Sequence, residues 1–265
     1  MEIIRVSIGT EPMQHIPCEV LKASILRRTN RPVEFSQSWD KANGWHPAMK
    51  ELPRLKGTKF SRWRWLVPAL YANRGKAIYL DADQVVLSDI GELWDALRPG
   101  YAFAAVKNAQ GIFGKKQPEP GAIQSSVMVM DCERCDWTAL KFCNKVARGE
   151  MDYRDLMQAK WLQDADIQEL DPAWNHFGIR NTGTKLLHWS HVASQPYRKA
   201  QHPTAPIFRE ELHEGIKAGL VNRGDVFEAI GQGHLCMTWG NDLPTSEIRH
   251  TLGGVPDGAT LRSSL

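Results

Sequence analysis

No stretch of this 265-residue chain is apolar for long enough to cross a membrane, since a spanning helix needs about 20 such residues in a row. A basic segment leading into a long apolar one is also missing: Ile3 to Ile8 read as a strand, not as a secretory leader. An excess of one charge is absent too. The 33 Lys and Arg nearly balance the 30 Asp and Glu, leaving a net charge of +3. That is too little for a nucleic-acid binder and suits anionic small molecules or contact with an anionic membrane face. Cysteine is sparse. Five residues, without the spacing of a disulfide scaffold, point to a reducing cytoplasm. Cys132 and Cys135 form a C-x-x-C pair with only Cys143 nearby. Zinc would lack its fourth ligand, and the thiols read as small buried hydrophobes. No internal repeat or low-complexity segment occurs.

What is present is enough apolar sequence, 42%, for one substantial core. Strands are expected at Ile3 to Ile8, Val33 to Phe35, Ala77 to Leu80, Ala102 to Val106 and Val127 to Met130, with a late one at Lys185 to Trp189. Helices are expected over Pro17 to Arg28, Phe60 to Tyr71 (closed by Gly75) and Cys135 to Val146, with two more at Pro206 to Leu220 and Gly224 to Ile230. Ser88, Asp89 and Glu92 ahead of Leu93-Trp94 look like a capped helix start. This alternation predicts an α/β fold, a mostly parallel sheet covered by helices. Residues 1–203 form the expected main domain, and residues 204–265 a small helical extension with a Gly/Ser-rich tail. Residues 37–57 read as loop, and the long loop from Lys107 to Gly121 as a mobile cover for a site. Ten tryptophans are many; Trp63, Trp65, Trp174 and Trp189 lie close enough to candidate site residues to stack on a ring.

The most informative residues are Asp81-Ala82-Asp83, directly after the apolar strand. Side chains alternate along a strand, so the two carboxylates should face the same way. Such neighbours repel unless a positive charge sits between them. A hard divalent cation carrying a diphosphate is the natural guest. A second Asp-x-Asp, Asp164-Ala165-Asp166, has no buried strand before it and reads as a solvated turn or helix start.

The run Lys76-Ala77-Ile78-Tyr79-Leu80-Asp81-Ala82-Asp83, followed by Val86-Leu87, Asp89-Ile90 and Leu93-Trp94, resembles the core of glycosyltransferase family 8. The resemblance extends over roughly residues 3 to 200. It implies a GT-A fold, a Rossmann-like mixed sheet. The implied activity is that of a retaining enzyme that moves a hexose from a UDP-sugar to a hydroxyl of a glycan or glycolipid, with Mn2+ or Mg2+. On that resemblance Asp81 and Asp83 bind the metal, with Ala82 between them at the cofactor. His188, upstream of Pro196-Tyr197, supplies the third ligand, with His191 as its competitor. An imidazole beside two carboxylates suits manganese.

The resemblance also implies that Arg64 binds donor phosphate or sugar, as a planar guanidinium can; Arg62, two residues earlier, reads as the solvated helix face. Gly9, Thr10 and Glu11 would hold the uracil and ribose, at the strand end where ligands of open α/β sheets bind. Gln124 and Ser126 would approach the donor sugar. The family's Asp-Gln pair near the reacting carbon has candidates in Asp155 with Gln158, and in Gln163 with Asp164. Gln195 stands where the family's diphosphate-binding lysine is expected, so Arg198 or Lys199 would have to supply that charge. Two other functions compete. A nucleotidyltransferase would want a Gly-rich basic loop in place of Gly9-Thr10-Glu11-Pro12, and a non-catalytic nucleotide-sugar binder would tolerate the missing lysine.

Overall fold

In a computed structural model, which describes residues 2–107, 111, 119–162 and 166–245, the chain starts with β1 (Ile4–Gly9), α1 (His15–Leu26) and β2 (Val33–Gln37). A two-stranded ribbon, β3 (Trp39–Asp40) and β4 (Gly44–Trp45), occupies part of the expected loop. Next come α2 (Trp63–Leu70), β5 (Lys76–Asp81), β6 (Gln84–Val86) and α3 (Ile90–Asp95). Asp89 caps α3 by accepting from the Gly91 N–H at 2.8 Å. Then follow β7 (Phe103–Lys107), β8 (Ile123–Asp131), α4 (Ala139–Ala147), α5 (Tyr153–Met157) and β9 (Ile167–Glu169). The short strands β10 (His176–Phe177) and β11 (Leu186–His188) precede the last helices, α6 (Ala205–Lys217) and α7 (Arg223–Gly231).

Six strands form the main sheet in the order β2-β1-β5-β8-β7-β9. Strand β8 runs antiparallel to β5 and β7, and the other pairings are parallel. The mixed, largely parallel sheet is the expected α/β architecture. Alternation along β5 sends Ala77 and Tyr79 into the apolar cluster on one face and Ile78 and Leu80 into that on the other. A strand buried on both faces has to be apolar throughout, which is why its sequence was easy to read.

Several elements differ from the expectation. Helix α2 begins with a 3-10 turn, Lys59–Arg62, and stops at Leu70 with Pro68 in its last turn. Ala72 and Asn73 already take positive φ (52° and 53°), so the chain leaves the helix before Gly75 is reached. Arg62 is buried and not on a solvated face. Its Nη1 donates to the carbonyls of Leu52 (2.8 Å) and Pro53 (2.5 Å) and so pins the loop ahead of α2. Strand β8 is longer than its apolar run, because Gln124, Ser125 and Ser126 belong to it. A second small sheet, β10-β11-β6, was not foreseen.

The outer face of α1 (Ile16, Val20, Ala23) shares one apolar cluster with Val85, Leu187, Trp189 and Tyr197 and with Phe208, Leu212, Ile216 and Val226 of the C-terminal helices. Glu211, 2% exposed, accepts from both Arg27 and Arg28 and ties α6 to the end of α1. The C-terminal helices therefore close over α1 and the small sheet. The five cysteines are free, and burial pushes the Cys18 and Cys132 thiols up to about 12. No helix among the described residues is long and apolar enough to cross a membrane.

Gly9 ends β1 where a side chain has no room: a Cβ there would lie 2.3 Å from the Tyr79 hydroxyl and 2.8 Å from the Phe60 ring. Gly9→Ala is expected to lower the free energy of unfolding by about 1–3 kcal/mol, measured by urea denaturation of the metal-free protein.

Candidate functional site

Strand β5 delivers Asp81 at its carboxyl end, opposite Gly9 of β1. The chain then bends through Ala82 and Asp83 before β6 begins. Ala82 donates its N–H to the Gly9 carbonyl (2.9 Å), and the Asp83 carbonyl accepts from Trp189 (2.9 Å). The second contact belongs to the small sheet, in which β11 pairs antiparallel with β6 and sets His188 opposite Gln84. A residue far along the chain thus arrives beside the two aspartates. Asp81, Asp83 and His188 are all buried, and one ligand atom from each lies within 4.8 Å of the others.

Asp81 is held by protein donors. Arg64 Nη2 donates to its Oδ1 (3.0 Å) and Oδ2 (3.2 Å), and the Tyr79 hydroxyl donates to Oδ1. The same guanidinium lies over the Tyr79 ring, 5.0 Å from its centroid, and its Nη1 donates to Ser125 Oγ at 2.6 Å. Arg64 Nε is buried and has no partner. Burial raises the Asp81 carboxyl above the usual carboxylate range; Arg64 opposes that and the nearby Asp83 charge adds to it. Burial is the largest influence on the Arg64 guanidinium and would lower it, but Asp81 together with Tyr79 and Tyr153 outweighs it and the net shift is upward.

Asp83 is held from the other side. Gln195 Nε2 donates to its Oδ2 and to the Trp189 carbonyl, both at 2.9 Å. Its Oδ1 accepts no hydrogen bond and stands 3.3 Å from His188 Nε2. His188 Nδ1 lies 3.0 Å from Asn175 Oδ1 and 3.3 Å from Ser126 Oγ, and the Phe177 ring lies 4.6 Å away at 41°. A buried carboxylate oxygen without a donor, facing an imidazole nitrogen, is what a cation would satisfy. The residues present fit a divalent ion.

Glu11 is half-buried. Burial raises its carboxyl, Lys59 opposes this, and Asp83 is near enough to add to it. Thr10 is buried, and its N–H and C=O are both spent on Ser38 Oγ (2.8 and 2.7 Å). Gln124 donates to the Ala122 carbonyl at 3.3 Å. A register shift in β7–β8 between Ala105 and Val106 lets Ser125 meet Arg64 while its neighbour Ser126 meets His188, so Ser126 backs the histidine. Asp155 is not brought to the aspartates; it makes a surface ion pair with Lys160 at 3.1 Å. Gln158 follows α5 with its amide oxygen buried and unpaired. Gln163 and Asp164 lie outside the described residues. His191 is exposed and bonds Ser194 at 2.7 Å, which leaves His188 as the ligand candidate. Arg198 and Lys199 follow Gln195 on the exposed surface. Trp63, Trp65, Trp174 and Trp189 are all buried, and Trp63, Trp65 and Trp189 meet rings of the protein itself edge-on: His46, Trp137 and Phe208. Of the expected loop cover, only residues 107, 111 and 119–121 are described, and Gly111 bridges to Phe177 beside His188. Sequence reasoning missed Tyr79 and Asn175. Tyr79 was findable, two residues before Asp81 on the same face of the strand, whereas nothing in the sequence marks Asn175.

The family model described as glycosyl transferase family 8 matches residues 55–194, a span that holds all three buried ligand candidates. Protein CDI of Arabidopsis thaliana is 27% identical over 186 residues, covering 64% of this chain and 68% of that protein. Among solved structures, the galactosyltransferase LgtC in complex with donor and acceptor sugar analogues superposes with a TM-score of 0.60 at 14% identity, over 79% of this chain and 95% of that one. The bifunctional glycosyltransferase WbbM superposes with a TM-score of 0.55 at 15% identity, over 79% of this chain and 49% of that one. The chain thus spans about half the length of WbbM. These likenesses establish the GT-A fold.

Tyr79→Phe removes one of the donors on Asp81 and leaves the guanidinium in place. The expected cost is about 1.5–3 kcal/mol, typical of a hydrogen bond to a charged group, read by chemical denaturation without metal.

Proposed function

The chain belongs to glycosyl transferase family 8, and we propose that within it the protein is a metal-dependent, retaining hexosyltransferase. It moves the sugar of a UDP-sugar to a hydroxyl of a glycan or glycolipid. One observation carries this reading: Asp81, Asp83 and His188 converge, all buried, at the carboxyl end of β5 beside the end of β1, where open α/β sheets bind nucleotides. The donor set of two carboxylates and one imidazole favours Mn2+, which accepts nitrogen, over Mg2+. When bound, the ion would supply Lewis-acid stabilisation of the charge on the departing UDP.

The protein's own groups have distinct tasks. Arg64 would supply a second positive charge at the leaving group, held in place by its contacts to Asp81 and Ser125. Gln195 anchors one oxygen of Asp83, leaving the other for the cation. Gly9 and Glu11 border the nucleoside end, and Gln124 faces the donor sugar. With Asp155 paired at the surface, the amide of Gln158 is the better candidate near the reacting carbon. The reading places the protein in the cytoplasm, supported by its five free thiols, with an acceptor in solution or at a membrane face.

Wild-type protein with Mn2+ and the matching UDP-sugar should gain about 2.7 kcal/mol of stability at a ligand concentration of about 100-fold over Kd, seen as a rise in Tm. It should also hydrolyse the donor slowly to UDP, and EDTA should abolish both effects. Asp83→Ala should keep the fold and lose the shift. Binding without any turnover would favour the non-catalytic binder, and release of UMP a nucleotidyltransferase.

A further inference from the structure

Asn175 is not among the residues that the sequence singles out, yet it is fully buried against His188. It closes a 3-10 turn, Pro172–Asn175, that Asp171 caps by accepting from the Ala173 N–H at 2.9 Å. The turn leads straight into β10, which pairs parallel with β11 and sets Phe177 opposite His188. Both ends of the Asn175 amide are used. Nδ2 donates to Ser126 Oγ at 3.0 Å, and Oδ1 lies 3.0 Å from His188 Nδ1.

With its N–H group turned to Ser126, the amide presents only an acceptor to the imidazole. An acceptor at that distance requires Nδ1 to carry the proton. A neutral imidazole has one N–H, so Nε2 keeps its lone pair. That atom stands 3.3 Å from Asp83 Oδ1, which accepts no hydrogen bond. Two lone pairs therefore confront each other in a buried site. The opposite tautomer would place N–H at Nε2, where it would donate to Asp83 and close the gap.

We propose that Asn175 is a positioning residue: it fixes the Nδ1–H tautomer of His188 and so keeps Nε2 open to a divalent cation instead of hydrogen-bonded to Asp83. The proposal rests on the cation reading above. It concerns how this chain prepares its ligand, and partners behind a ligating histidine generally set its tautomer and orientation. The Phe177 ring packs against the imidazole, 4.6 Å between centroids.

The test uses full-length, metal-free protein labelled with 15N-histidine at about pH 9, where an imidazole is neutral. Two-bond 1H–15N correlation distinguishes the tautomers, and His188→Gln identifies the His188 signals. Wild type should show the proton on Nδ1. Asn175→Leu, similar in shape but without an acceptor, combined with Ser126→Ala because the Ser126 hydroxyl also lies 3.3 Å from Nδ1, should move it to Nε2 and weaken Mn2+ binding about 10- to 100-fold, measured by paramagnetic resonance of free Mn2+. Asn175→Asp retains an acceptor and should restore both the tautomer and most of the affinity, a rescue that a packing role would not give. If the Leu variant does not fold, the wild-type spectrum and the Asp variant decide. An Nε2–H tautomer in wild type that still binds Mn2+ would overturn this proposal alone. An Nδ1–H tautomer in a protein that binds no Mn2+ would remove the cation reading, and with it the purpose assigned to Asn175.

Discussion

A buried guanidinium set against a buried carboxylate, Arg64 on Asp81, is the contact round which the end of the sheet is arranged. Neither charge could be left alone there, because an unpaired buried ion costs several kcal/mol. The pair dictates its neighbours. Tyr79 must be a tyrosine to reach Asp81 with a hydroxyl, and Gly9 must be a glycine to let that hydroxyl pass. Ser125 must accept from the second arm of the guanidinium while passing its own proton to the Met157 carbonyl. Helix α2, three strands and α5 are thereby locked to one point.

On the other side of the bend the logic is reversed. Asp83 has only a neutral amide on one oxygen and a bare imidazole nitrogen near the other. One carboxylate is compensated within the protein and the other is not. Arg64 sets one positive charge against the two carboxylates of Asp81 and Asp83, a net deficit of positive charge at the site. On the proposed reading, a nucleotide diphosphate there would need a cation beside it, so metal and donor would be coupled by electrostatics. The neutral Gln195, where the family resemblance leads one to expect lysine, leaves this dependence unrelieved.

The apolar strand and the aspartates after it were legible because a strand buried on both faces tolerates nothing polar until it ends. The expected shared direction of Asp81 and Asp83 also holds, but for another reason. Asp83 has already left the strand and lies in the bend before β6, so a turn and the pairing with β11 bring it round, not the pleat. Polar strand residues were harder to see. Ser125 and Ser126 broke the apolar pattern because they face site groups, and β8 was cut short for that reason. Arg62 and Arg64 are two apart on one turn and alike in composition, and only tertiary contacts reveal that both are buried, one stapling a loop and one serving the site. Asn175 had no periodicity, motif or charge to announce it. Its position follows from a short capped turn and two-residue strand pairings, whose signals are too local to stand out.

The small sheet that brings His188 to the aspartates is itself part of the apolar cluster closed by Phe208, Leu212 and Val226. Its strands come from opposite halves of the chain, Val86 pairing with Leu186. Contacts of such large sequence separation are slow to form and arrive late in folding. During synthesis, the strands around Asp81 can assemble long before α6 and α7 have left the ribosome, whereas the histidine strand gains its full support only afterwards. The sheet edge that carries Asp81 can therefore be largely built while the strand that carries His188 is still unsecured, and the three proposed ligands come together only once the C-terminal helices have packed.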